Sequence, residues 1–382
     1  MVLRDCLRTP FAYANSVLVD TKMGQKNDKE NNGIQVLIKE FMMMPFPLFL
    51  KRHVPTGHCN DALPFDWQCF FTRILIIAAK RLYGKASKGA WTRVNNVMDY
   101  DESIDFIEKN LRAGNPFMAG KIGTGDMETI QRYIDIHASG SCFVKWCRLL
   151  GGKIGPFWFD NWIRSAICIC AGVFPQTDES IEEFCRTFMG YCDGFDALPQ
   201  YTEGEKRIYE KLCPDARVIK LDALSPIGVH TWYGALAGKR VLVVHPYVKT
   251  IRAQYEKGIE YHKGQGPLPR FNLIQYRPVN SIGGKSDQFS RWKEALDFMI
   301  ADIEKIDFDV ALLGCGVYGV PLSVHIKRMG RQAIYTGGAT QIIFGIKGKR
   351  WDNLGIYNEH WVRPFPEDVP QNMNLIEGGT FL

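Results

Sequence analysis

Three uninterrupted aliphatic runs recur in the second half of the chain: "KRVLVV" at 239–244, "FDVALLG" at 308–314 and "RQAIY" at 331–335, each followed by residues at helical spacing. Continuous Val, Ile and Leu leave no face for water, so each run belongs to a strand buried on both sides. Such strands, alternating with helices, dictate a parallel sheet covered on both faces. The reading extends to strands in "ARVIKLDAL" and "FNLIQYRP", and to helices in "YVKTIRAQYEKG", "SDQFSRWKEALDFMIADIEKI" and "YGVPLSVHIKRMG", the last closed by Gly330. The expected fold is α/β: a Rossmann-like, mostly parallel sheet flanked by helices, with a helical N-terminal extension.

Upstream, "PFMAGKIG" has strand length and "METIQRYIDIHA" helical spacing, giving strand, loop, helix. "DESIDFIEKNLRAG" predicts another helix, with Ile104, Ile107 and Leu111 on one face, Asp101 or Ser103 as cap and Gly114 as stop. The stretch 141–200, dense in Trp, Phe and Cys, reads as buried helical structure with aromatic loops. Residues 1–34 form a polar arm around "TKMGQKNDKENNG". The expected division is 1–110 as arm and helical extension, and 111–382 as the α/β domain.

With 382 residues, 46% of them hydrophobic, the chain can bury a large core. A net charge of +6, spread along the chain, does not indicate nucleic-acid binding. Eleven cysteines without paired CxxC spacing read as reduced thiols, and no secretory signal is visible, so a cytoplasmic protein is expected. The runs "VLIKEFMMMPFPLFL" and "CFFTRILIIAAK" are too short or interrupted to span a bilayer; peripheral membrane contact stays open beside a packing role. His53, His58 and Cys59 form a short cluster that reads as a polar loop rather than a metal site.

Ligands of parallel sheets bind beyond the carboxyl ends of the strands, and three unusual loops fall there. "GCGVYG" places Gly314, Gly316 and Gly319 at dinucleotide spacing, but the next strand ends "AIYTGG", without the acid that holds a ribose. It serves equally as a tight turn that needs small residues. "GNPFMAGKI" and "GGKS" miss the Walker spacing, and no GxSxG occurs. The third loop, "GKIGTGDMETI", sets Asp126 and Glu128 behind Gly120, Gly123 and Gly125. Two carboxylates one residue apart can converge on a hard cation, and facing a diphosphate they require one, Mn2+ or Mg2+, as Lewis acid. The competing reading is that Asp126 caps a helix and Glu128 occupies its first turn.

"GKIGTGDMETI" resembles the motif that carries the metal-binding DxE in glycosyltransferases of the GT-D fold. The resemblance continues through "KRVLVVHPYVKTIRAQYEK", "FDVALLGCGVYGVPLSVHIKRMGRQAIYTGGATQIIFGIKGKRW", "NEHWVRPFPEDVP" and "IEGGTFL". These look like blocks of polysaccharide-biosynthesis proteins related to that group. Lys121 and Thr124 depart from the Arg and Asp often found near those positions. The resemblance implies a GT-D type domain in which Asp126 and Glu128 hold the metal and, through it, the diphosphate of a nucleotide-sugar donor, a UDP-sugar foremost, for transfer to a glycan or glycoconjugate acceptor.

The remaining candidates follow from position and chemistry. Lys121, Gly123 and Gly125 would line the donor loop. Gly337 and Gly338 end a strand beside Gln341, which can bond sugar hydroxyls, and Lys347, Lys349 and Arg350 can neutralise leaving-group charge, unless they form an ordinary solvated loop. His245, at a strand end, can serve as base or sit as a hydrogen-bonded core residue, and Asp222 is a second strand-end acid. Thr250 and Arg252 open the following helix and can reach phosphate. Two other classes remain: a Rossmann-type oxidoreductase or methyltransferase using "GCGVYG", and a non-catalytic nucleotide- or glycan-binding protein.

Overall fold

A computed structural model of the chain describes residues 96–150, 154–201 and 205–382. The polar arm, the two apolar runs and the His53, His58, Cys59 cluster lie outside the described residues.

Among the described residues seven strands form one sheet, and all of them run parallel. They are β1 (Phe117–Gly120), β2 (Ala197–Pro199), β3 (Arg217–Ile219), β4 (Arg240–Val244), β5 (Asn272–Tyr276), β6 (Val310–Leu313) and β7 (Gln332–Tyr335). Their order across the sheet is β3-β2-β1-β7-β6-β4-β5. β2 was not legible in the aromatic stretch: it has three residues and ends on a proline, too little for a periodic signal.

Alternate strand residues feed two cores, as expected of a sheet covered on both faces. Met118, Leu242, Val244, Ala311, Leu313 and Ala333 point to one layer, made by helices α2 (Thr124–Ile136), α5 (Asp178–Met189), α8 (Trp292–Glu304) and α9 (Gly319–Arg328). Phe117, Ala119, Val241, Val243, Val310, Leu312 and Ile334 point to the other, which holds α1 (Tyr100–Ala113) and α7 (Val248–Lys257). Shorter helices α3 (Cys142–Leu150), α4 (Asn161–Arg164), α6 (Glu205–Leu212) and α10 (Thr340–Ile343) complete the set.

α1 shows how local sequence sets an element. Ile104, Ile107 and Leu111 are fully buried along one stripe, and Gly114 stops the helix with a left-handed φ of 74°. The cap is Asp99, two residues before Asp101 and four before Ser103, the caps expected. It accepts from Glu102 N while Glu102 returns a bond to Asp99 N, a reciprocal box that only Asp99 has the spacing to make. Because α1 packs on the sheet, the α/β unit begins before residue 110. No helix among the described residues is long and apolar enough to cross a membrane.

Candidate functional site

Strand register brings the suspect loops side by side. Gly120 pairs with Tyr335, Tyr335 with Leu313, and Leu313 with Val244, so the loops beginning at Lys121, Thr336, Gly314 and His245 leave one edge as neighbours. That edge is the carboxyl end of the sheet, where parallel α/β folds bind ligands. The four loops form two corners of different character.

At the β1/β7 corner charged groups gather. Gly337 has a φ of 63°, and a Cβ there would stand 3.0 Å from Lys121 Cε, so the lysine chain lies across the glycine backbone. Burial lowers the Lys121 pKa and the Arg350 charge lowers it further, against the pull of Glu377 and Asp126. Asp126 is buried at 7% exposure. Burial pushes its carboxyl up to about 7, although the Gly123 backbone N–H donates to it and Lys121 attracts it. Tyr201, just beyond β2, donates to Ile122 O, and Tyr335 donates to Gly316 O at 2.9 Å. Burial raises both phenols, and Asp126 is among the charges acting on each. A buried carboxyl titrating near neutrality, beside a lysine and at a strand end, is a functional signature.

Asp126 and Glu128 do not serve one point. Both lie inside α2, whose N-cap is Gly123, and helical positions two apart project about 200° from each other. Asp126 turns back to Gly123 and the β1 end. Glu128 accepts from Trp162 Nε1 at 2.7 Å. Its carboxyl is raised by burial, the Trp162 bond and Arg132 opposing and Asp160 adding to the rise. The two partner sets are separate, so as a joint clasp for one Mn2+ or Mg2+ the pair does not fit. The expectation of convergence assumed that the stretch stays extended or only begins a helix; the helix instead starts at Thr124, ahead of both acids. The helix N-cap is Gly123; Asp126 sits in the first turn and accepts from the Gly123 N–H, and Glu128 lies beyond that turn. The described residues hold one cluster of three or more His, Cys, Asp or Glu side chains with metal-ligating geometry, Asp105, half-buried Glu108 and His230, at the surface. There Glu108 already pairs with Arg112 at 2.6 Å, and both imidazole nitrogens face carboxylates.

The β6/β4 corner is filled by packing. A Cβ at Gly314 would meet Gly337 O and Thr340 Oγ1 at 2.7 Å, and one at Gly319 would fall inside the Tyr335 ring. Gly316 adopts a φ of 59°. Each glycine of "GCGVYG" is thus explained by the turn itself. His245 is buried, and its Nδ1 accepts from Tyr247 N at 3.1 Å, which places the neutral ring's proton on Nε2. Burial lowers its pKa to about 3, against the pull of Asp368. At neutral pH it is an uncharged core residue whose basic nitrogen is occupied.

Other candidates are drawn into the framework. Thr250 is fully buried and gives both N (2.6 Å) and Oγ1 (2.8 Å) to Asp368 Oδ2, so its hydroxyl ties α7 to the 365–368 turn. Arg252 faces solvent beside Glu256. Asp222 is exposed next to the edge strand β3, two strands away from β1. Gln341 is buried, with Nε2 donating to Lys347 O (2.8 Å) and Phe381 O (3.2 Å), while its Oε1 has no partner. Lys347 lies over the Tyr357 ring at 5.5 Å. Gly125 rests on Ala166, and Gly338 on the Phe381 ring. Of the sequence candidates the structure therefore unites Lys121, Gly123, Asp126, Gly337, Gly338 and Arg350. It adds Tyr201, Tyr335 and Glu377, which the sequence did not single out.

No protein-family model, curated protein or solved structure matches the chain.

Proposed function

We propose that this chain is a glycosyltransferase that moves a sugar from a nucleoside diphosphate donor, a UDP-sugar foremost, to a glycan or glycoconjugate hydroxyl. The observation that carries the reading is the Lys121 and Arg350 pair beside Asp126 at the carboxyl end of β1 and β7. Two cations suit a diphosphate, and the guanidinium can fork across its oxygens. The first N–H groups of α2, starting at Thr124, add a positive helix end on the same side.

In this reading the bond from the anomeric carbon to the phosphate oxygen breaks, and its electron pair leaves on the diphosphate, where Lys121 and Arg350 neutralise it. The acceptor oxygen forms the new bond and gives its proton to Asp126, which is half ionised near pH 7 and so matched to that transfer. No step runs through a metal. The filled "GCGVYG" turn favours this reading over a nicotinamide or methyl-donor enzyme.

The test is a panel of nucleotide sugars with the full chain, following release of the nucleoside diphosphate in EDTA and in Mn2+. Turnover in EDTA that is abolished in Asp126→Asn is expected. No release from any donor in either condition rejects the reading. Turnover confined to Mn2+ and lost in Glu128→Gln restores the paired-carboxylate metal site.

A further inference from the structure

The cation pair of the β1/β7 corner is already partnered, and the partner comes from the chain itself. Glu377 forms an ion pair with Arg350 and attracts Lys121. The segment around it, 376–382, lies across the strand end, with Ile376, Phe381 and Leu382 half-buried against the core and Glu377 and Gly378 exposed. Phe381 seats its ring on the bare backbone of Gly338, with the Arg350 guanidinium 5.0 Å from the ring centre. Its carbonyl accepts from Tyr247 OH and Gln341 Nε2, each at 3.2 Å, while Thr380 O and Leu382 O accept from Arg350 N (2.9 Å) and Lys349 N (2.8 Å).

Two features mark this covering as reversible rather than structural. Glu377, Gly378 and Gly379 hold successive left-handed φ values of 46°, 70° and 80°, a run that a side-chain-bearing residue rarely enters. Beneath the Phe381 carbonyl, buried Gln341 keeps Oε1 without a hydrogen-bond partner, so this seat does not satisfy every polar atom it covers. The exposed backbone at Glu377 and Gly378 opens at lower cost than the buried sheet beneath it.

We propose that Glu377 is a built-in stand-in for the donor's diphosphate, and that the 376–382 segment is a strap that the donor displaces from Lys121 and Arg350. This rests on the donor reading of that corner. The class of ligand that competes is a diphosphate, free or carried by a nucleoside. A carboxylate carries one charge where a diphosphate carries more, so the exchange favours the ligand while keeping the cations apart from weaker anions.

The experiment is titration calorimetry of the full chain and of Glu377→Gln with inorganic pyrophosphate and with UDP, alongside hydrogen exchange of the 376–382 amides. Pyrophosphate is expected to bind Glu377→Gln about two- to fivefold more tightly than wild type, the size of a released partly exposed ion pair. In wild type, exchange of the 376–382 amides is expected to rise when either ligand is added. Equal or weaker affinity in Glu377→Gln, or exchange that slows on binding, overturns the strap even if nucleotide sugars are turned over. Absence of pyrophosphate binding to both proteins also overturns it. Tighter pyrophosphate binding in Glu377→Gln without turnover of any nucleotide sugar keeps the strap and rejects the transferase.

Discussion

The two corners of the sheet's carboxyl edge were equally conspicuous as sequence, and they differ in what fills them. At the β6/β4 corner each glycine of "GCGVYG" has a steric or backbone reason, and His245 is neutral with its Nδ1 engaged. At the β1/β7 corner two ionisable side chains, Lys121 and Asp126, attract each other, and burial shifts both from their ordinary pKa values. A glycine-rich turn after a buried strand is therefore ambiguous, because close packing and ligand approach need the same missing side chain. Burying two ionisable groups at a strand end costs stability that close packing alone does not require.

The largest effect should separate the corners by activity. Lys121→Ala is expected to cut donor turnover about a hundredfold or more, the usual loss when one stabilising group leaves a reacting anion. His245→Gln should change it less than about threefold when both are assayed as folded protein. Comparable losses in the two variants would erase the distinction. Stability should separate them the other way: Gly319→Ala, whose methyl falls inside the Tyr335 ring, should cost about 3 kcal/mol in urea unfolding. A midpoint equal to wild type would show that the β6/β4 turn has room to spare.

The smaller effects are in pH dependence, with opposite signs at the two corners. The unfolded Asp126 carboxyl ionises near 3.8 and the folded one near 7, so the fold loses stability as pH rises between those values and stays at the lower level above. Asp126→Asn should therefore add about 2–4 kcal/mol at pH 8 and little at pH 4. For His245 the unfolded ring gains its proton below 6.5 and the folded ring only near 3, so stability falls as pH drops through that window. His245→Gln should remove about 2 kcal/mol of that loss at pH 5. Urea midpoints measured at pH 4, 5 and 8 check both, and a flat profile for Asp126→Asn minus wild type would place the carboxyl in water.

The fold was legible because its signal is redundant. Val241 to Val244, Val310 to Leu313 and Gln332 to Tyr335 each read as strands, and glycines stop two of the intervening helices, at Gly258 and Gly330. β2 was hidden because three residues ending at Pro199 give no period. At the site, Lys121, Asp126, Gly337 and Arg350 were found by type and by position at strand ends. The pairing of Asp126 with Glu128 was not decidable from spacing, because an acid, a spacer and an acid converge on an extended backbone and diverge on a helix. Whether the helix begins at Thr124 or after Glu128 depends on tertiary context, here Tyr201, which donates to Ile122 O and bonds Thr124 at the loop. Glu377 was invisible because its partners are 27 and 256 positions away.

The place of β7 between β1 and β6 has a consequence for how the molecule is made. β1 to β3 form one ribbon and β4 to β6 another, and nothing in the ladder joins them until Gln332–Tyr335 inserts between the two. More than two hundred residues separate β7 from β1, so this closure is a late, long-range event in synthesis and the step most exposed to misassembly. Because the strand that welds the halves carries Tyr335 and leads into Gly337, the β1/β7 corner comes into being only when the sheet does.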